Sequence, residues 1–150
     1  MGRSGLEKLY LRYCYELGIL PRYNQDPSKV HTLLKDDLLM CDRYSKQAKL
    51  LSMYHVSTDE DLAALSDKLQ EKITDLSSKR EELRLKSRRV LPESETGQAK
   101  ADARELTAEI HQLRHELKLC GEIKERSGHV RENLEAVDRD RQREHERDRN

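Results

Sequence analysis

Chemistry in this sequence has few possible seats. His111 and His115 lie four residues apart, a spacing that puts both imidazoles on one face of a helix, where they could hold a metal. No carboxylate or cysteine completes the set at zinc-protease spacing, because Glu116 falls beside the pair rather than inside it. The plainer reading is two partly exposed histidines flanking a helical seam, and no metal or other cofactor is expected. The six tyrosines raise the idea of a tyrosine nucleophile. Tyr10, Tyr13 and Tyr44 fall on apolar helix faces, and Tyr15, Tyr23 and Tyr54 fall beside them or in loops. Nothing nearby supplies the base, metal or oxyanion stabiliser a nucleophile needs, so packing and local hydrogen bonding is the better assignment. Glycine-rich phosphate loops, serine elbows and Cys–His pairs are absent, so no catalytic residue is expected.

One cluster could grip a ligand. Residues 77–90 hold six bases (Lys79, Arg80, Arg84, Lys86, Arg88 and Arg89) and two acids. Phosphate contacts need only positioned cations, so these six side chains are the candidate DNA contacts. No aromatic residue interleaves them, which argues against base stacking. The competing reading is favourable charge at a helix C-terminus, with pairing to acids of a neighbouring helix.

Composition frames the elements that must position these groups. Charged residues make up 39% of 150, hydrophobic ones 35%, and neither Trp nor Phe occurs. The apolar set suits narrow seams between helices better than a thick core. The formal net charge of zero removes any global electrostatic case for nucleic acid and leaves only local patches. No apolar run reaches the roughly 18 residues of a membrane span, and no secretory or myristoylation signal opens the chain. Cys14, Cys41 and Cys120 are odd in number and far apart, as reduced thiols used as small hydrophobes would be. A cytoplasmic protein is expected.

Periodicity predicts an all-α fold: two shorter helices followed by a long antiparallel helical hairpin of coiled-coil type. Leu6, Leu9, Tyr10, Tyr13, Cys14 and Leu17 mark a helix over about 5–17, closed by Gly18. A loop follows over 21–26. Asp26 and Pro27 then start a helix expected to run to about 54, with the stripe Val30, Leu34, Leu38, Cys41, Tyr44, Ala48 and Leu51, widened by Leu33, Leu39, Met40 and Leu50 so that it touches more than one neighbour. Residues 1–56 form this helical pair. Ser57 and Glu60 suggest a capping box for the next helix. Residues 57–137 form the hairpin, with its turn near 91–98, where Pro92 and Gly97 stand. Its seams are Leu62, Leu65, Leu69, Ile73, Leu76, Arg80, Leu83, Ser87 and Val90 on one side, and Ala103, Leu106, Ile110, Leu113, Leu117 and Cys120 onward on the other. Residues 138–150 contain no apolar side chain and read as a charged, frayed tail.

The opening run Gly5 to Pro21, centred on Tyr10-Leu11-Arg12-Tyr13-Cys14-Tyr15, resembles a segment beyond the nuclease domain of relaxases. These are the mobilisation proteins of conjugative elements in gut Firmicutes and related bacteria. Leu33-Leu34-Lys35-Asp36-Asp37, Asp42-Arg43-Tyr44 and Thr58-Asp59-Glu60-Asp61-Leu62 resemble the next block of that region. Leu117-Lys118-Leu119-Cys120 and the run Glu125 to Leu134 resemble its closing block. Relaxases nick one strand at a transfer origin with a tyrosine and a histidine-bound metal. This chain has no His-x-His or His-x-Asp-x-x-x-His motif, so no catalytic residue carries over. The resemblance implies the C-terminal helical region alone, a non-catalytic accessory module for DNA mobilisation that tethers DNA or docks proteins. Implied partners are DNA, the relaxase nuclease domain, transfer-machinery proteins or a second copy of the chain, with no membrane. The alternative is a structural coiled-coil adaptor or dimerisation module that binds no DNA.

Overall fold

In the computed structural model the described residues are 5–20, 26–89 and 93–149. All regular structure among them is helical: α1 (Leu6–Glu16), 3₁₀ segments at Pro27–Lys29 and Thr32–Met40, α2 (Cys41–Met53), α3 (Asp59–Ser87) and α4 (Glu93–Arg149). No described helix is long and apolar enough to cross a membrane. The chain divides into two compact units, Met1–Leu62 with Gly121–Asn150, and Ala63–Cys120. The division differs from the expected boundary near residue 57, because residues 121–149 of α4 belong with the N-terminal elements.

Close approach fixes the start of α1. The Leu6 amide donates to the Ser57 carbonyl at 2.8 Å. A Cβ on Gly5 would stand 3.1 Å from both Cβ and O of Ser57, so only glycine fits there without a shift. At the other end the Gly18 and Ile19 amides reach back to the Tyr15 and Cys14 carbonyls, a Schellman closure with Gly18 at φ 80°. Ile19 just beyond it is buried, 5% exposed. The same closure ends α2 with His55 in the left-handed position, at φ 53°. The expected loop over 21–26 lies outside the described residues up to 25.

The single helix expected over 27–54 is interrupted. Asp26 caps the Pro27 turn by accepting from the Ser28 amide at 3.0 Å. Val30 and His31 then turn extended, with ψ of 133° and 138°. His31 Nδ1 accepts from the Leu33 amide at 3.1 Å and starts nine residues of 3₁₀ helix, in which side chains three apart share an edge. Leu34 and Asp37 therefore point inward together, while Leu33, Asp36 and Leu39 point to water. The α-type stripe through Leu38 is corrected on this ground: Asp37 is 4% exposed, and Leu39, three residues beyond Asp36, is 97% exposed.

The capping box of α3 is one residue later than expected. Thr58 Oγ1 accepts from the Asp61 amide at 3.0 Å, and Asp61 Oδ2 accepts from the Ser57 and Thr58 amides at 3.2 Å. Ser57 lies outside the helix because its carbonyl already serves Leu6. The expected turn over 91–98 is corrected as well. Residues 93–98 form the first turns of α4, whose opening acids Glu93 and Glu95 suit a helix N-terminus, and residues 90–92 lie outside the described residues.

In the first unit Leu9, Tyr10, Tyr13 and Cys14 from α1, Tyr44, Ala48 and Leu51 from α2, and Ile123, Val130, Leu134 and Val137 from α4 are all buried. In the second, Leu65, Leu69, Ile73 and Leu76 from α3 are buried, as are Ala99, Ala103, Ile110 and Leu113 from α4. There Lys72 pairs with Glu109 at 3.7 Å, and Arg80 donates to Thr107 at 3.4 Å.

The tail expected to fray is helical to Arg149. Its charges have partners on the N-terminal elements. Arg12 binds Asp138 through both oxygens, Arg141 binds Glu16 at 2.8 and 2.7 Å, and His31 meets Asp140 at 2.8 Å. The Arg141 hydrogen bond holds Glu16 below the usual carboxylate range, and Arg12 does the same for Asp138. A sequence lacking apolar residues looks unanchored, yet complementary charges on α1 hold residues 138–141 in place.

Candidate functional site

The six basic residues singled out above sit at the C-terminal end of α3 and in the turn after it. Lys79, Arg84, Lys86, Arg88 and Arg89 are exposed, and Arg80 is half-buried against Thr107. None of the six forms an ion pair among the described residues. Arg80 and Arg84, four apart, share one side of the helix, while Lys79 and Lys86, seven apart, share another. Arg88 and Arg89 follow in a turn held by i to i−3 bonds to Leu85 and Lys86. The cations thus form a collar around the helix end rather than a single stripe.

His111 and His115 are both exposed on α4, and no group of three or more metal-binding side chains forms among the described residues. All three cysteines are buried, and none of them is in a disulfide. Burial, with Cys41 nearby, pushes Cys14 up to about 12, and burial raises Cys120 too. Thiols held in this state are inert packing groups.

The most elaborate constellation is one that sequence reasoning did not single out. It centres on Asp37, in the first unit. Oδ2 of Asp37 accepts from the Tyr13 hydroxyl, from Tyr44 at 3.0 Å and from His129 Nε2 at 2.8 Å, while Oδ1 accepts from Arg126 at 3.1 Å. A carboxylate only accepts, so the His129 proton sits on Nε2. The Tyr13 hydroxyl accepts in turn from Asn133 at 2.8 Å, and the Tyr44 hydroxyl accepts from Arg126 at 2.9 and 3.2 Å. The Arg126 guanidinium lies 5.8 Å from the centre of the Tyr44 ring, and Tyr13 meets that ring edge-on at 5.1 Å.

Four elements converge here: Tyr13 from α1, Asp37 from the 3₁₀ segment, Tyr44 from α2, and Arg126, His129 and Asn133 from α4. The last three follow one another at three and four residues, one face of a helix. Every member lies in a stretch quoted above for its resemblance, so those stretches meet at one place in the fold. The signal available in sequence was period three (Leu34, Asp37, Met40), which a helix reading with period 3.6 passes over.

Charge placement decides what the cluster can do. Burial alone would raise Asp37, but hydrogen bonds from Tyr13, His129 and Tyr44 outweigh it and hold the carboxyl below its ordinary value. Burial pushes the Tyr44 hydroxyl up to about 12, aided by the Asp37 charge and opposed by Arg126. Burial and the bond to Asp37 raise Tyr13 further. A tyrosine nucleophile needs the opposite shift, so these hydroxyls act as protonated donors that fix α1 and α2 to an ionised carboxylate.

A pH dependence follows. With its folded value depressed, Asp37 adds stability in full above the ordinary carboxylate value of about 4, and that stability is lost as pH falls through the folded value. The groups facing it are Tyr13 from α1, Tyr44 from α2, and Arg126 and His129 from α4. Urea unfolding followed between about pH 6 and 2 is expected to show a steep acid loss that is shallower in Asp37→Asn. Equal slopes in both proteins would show that other carboxylates, Glu16 and Asp138 first, carry the acid response.

Comparison of the chain with models of known families, with curated proteins and with solved structures finds no match.

Proposed function

We propose that this chain is a non-catalytic helical accessory module of relaxase type, which assists DNA transfer by tethering the DNA backbone or by docking transfer proteins. The observation that carries the DNA part is the collar at the end of α3. Had its charges served only to complement a neighbouring helix, acids of that helix would pair with them. Instead Arg80 donates to Thr107, and the five exposed cations form no ion pair among the described residues. Unpaired cations release counterions from DNA at full effect. The convergence of the resembling stretches on Asp37 supports an accessory rather than catalytic role, since the Tyr13 and Tyr44 hydroxyls there are held protonated.

An antiparallel coiled-coil hairpin in the second unit is part of this proposal. Ser66 lies beside Cys120, Lys72 beside Glu109 and Arg80 beside Thr107, so partners fall along α4 as they rise along α3. Such a hairpin would present the collar at its tip, near the α3–α4 connection.

The test is a fluorescence-anisotropy titration of the whole chain against short single- and double-stranded DNA at about 50 and 200 mM salt. Affinity is expected to fall steeply with salt and to be lost on changing Arg80, Arg84, Arg88 and Arg89 to Gln. Any residual binding that survives at about 50 mM salt should have a logarithmic salt slope smaller by about 3–4. Absence of binding at low salt would overturn the DNA role and leave the coiled-coil adaptor.

A further inference from the structure

A second surface, in the first unit, is built for a different kind of ligand. Between the 3₁₀ segment and the end of α4 runs a groove of about 680 Å³. Lys29 stands on one wall, Arg139 and Arg143 on the other, and Leu33 is exposed along its edge. None of the three cations forms an ion pair among the described residues. By contrast, Asp140 on the same wall is taken up by His31 at 2.8 Å. Leu33 is 46% exposed and Leu39 97% exposed. Three-residue periodicity places both on one edge of the 3₁₀ helix, on either side of the exposed Asp36, at roughly 2.0 Å per residue, or about 12 Å apart. An α-helix rises about 12 Å over eight residues, so two apolar side chains at that spacing on a partner helix match this edge.

We infer that this groove and the Leu33–Leu39 edge dock an acidic amphipathic helix of a partner protein. Its apolar side chains cover Leu33 and Leu39, and its carboxylates meet Lys29, Arg139 and Arg143. Nucleic acid fits the surface less well. A phosphate backbone gains nothing from two exposed leucines. An exposed leucine edge that runs from Leu39 to Leu33, at a groove holding three unpaired cations, is the complement of a helix with an apolar stripe bordered by carboxylates. The inference rests on the docking part of the proposed role and is independent of the collar on α3.

The probe is a fluorescein-labelled helical peptide with two leucines about eight residues apart among glutamates and alanines. Its control carries lysines in place of the glutamates. The acidic peptide is expected to bind and the lysine peptide to bind at least about tenfold more weakly. Leu39→Asp, at a site too exposed to affect folding, and the pair Arg139→Gln with Arg143→Gln should each weaken binding about tenfold or more. The substitutions in the α3 collar should leave it unchanged, which separates this surface from the DNA proposal. Equal binding of both peptides, binding of neither, or binding indifferent to Leu39→Asp and the arginine pair would overturn the inference. Loss of duplex DNA binding in the arginine pair, with no peptide bound, would overturn it in favour of a phosphate site.

Discussion

Asp37→Ala is expected to lower the stability of the first unit by about 3 kcal/mol, the low end of the cost of breaking a buried ion pair. The carboxylate is 4% exposed and holds four donors from three other elements. Removing it strands Arg126 and His129 and leaves the Tyr13 and Tyr44 hydroxyls without an acceptor. Arg126 and His129 keep side-chain exposures of 32% and 40%, so water rehydrates part of what is stranded, and the low end applies. All six tyrosines fall at or before Tyr54 and there is no tryptophan, so tyrosine fluorescence reports on the first unit in the intact chain. Urea unfolding followed that way gives the cost directly. A loss under about 1 kcal/mol would mean that the network contributes geometry and almost no free energy. The pair Asp37→Leu with Arg126→Leu then separates two effects. Recovery of most of the loss would assign it to the unpaired cation rather than to the net worth of the bridge.

Tyr44→Ala should cost more, about 3–5 kcal/mol, because the ring is fully buried and central. It meets Tyr10 at a tilt at 6.2 Å and Tyr13 edge-on at 5.1 Å, carries the Arg126 guanidinium on its face, and sends its hydroxyl to Asp37. Tyr44→Phe keeps the ring and is expected to cost about 1–3 kcal/mol, the penalty for leaving buried polar partners unsatisfied. Similar losses in the two variants would place the stability in the hydroxyl's bonds. A wide gap would place it in the packing of three tyrosine rings around α1 and α2.

These two results bear on function through α4. Its residues 121–149 are held by Asp37 at Arg126 and His129, and by Arg12, Glu16 and His31 at Asp138, Arg141 and Asp140. Both sides of the proposed docking groove depend on those anchors, since Arg139 and Arg143 lie between and just beyond them. Weakening Asp37 should therefore loosen the groove before it affects the second unit.

Much of this was set by the sequence alone. Helical class follows from apolar spacing of three and four, because only a helix gathers such residues on one side. The burial of Leu9, Tyr10, Tyr13 and Cys14 follows from the same spacing. So does the placement of the cysteines as packing groups, and of Lys79 to Arg89 as an exposed basic run.

Three matters were decided only by tertiary structure. The break at Val30 and the 3₁₀ run after it are held from outside the segment, because His31, whose Nδ1 caps the run, is fixed through Nε2 by Asp140 of α4, and helix periodicity is blind to that contact. The burial of Asp37 has no local cause. A carboxylate enters a core only when distant donors satisfy it, and here they come from residues 13, 44, 126 and 129. The order of residues 138–141 rests on the same physics at the surface, because a charged segment without apolar residues is fixed only by opposite charges elsewhere in the chain, which Arg12 and Glu16 of α1 supply.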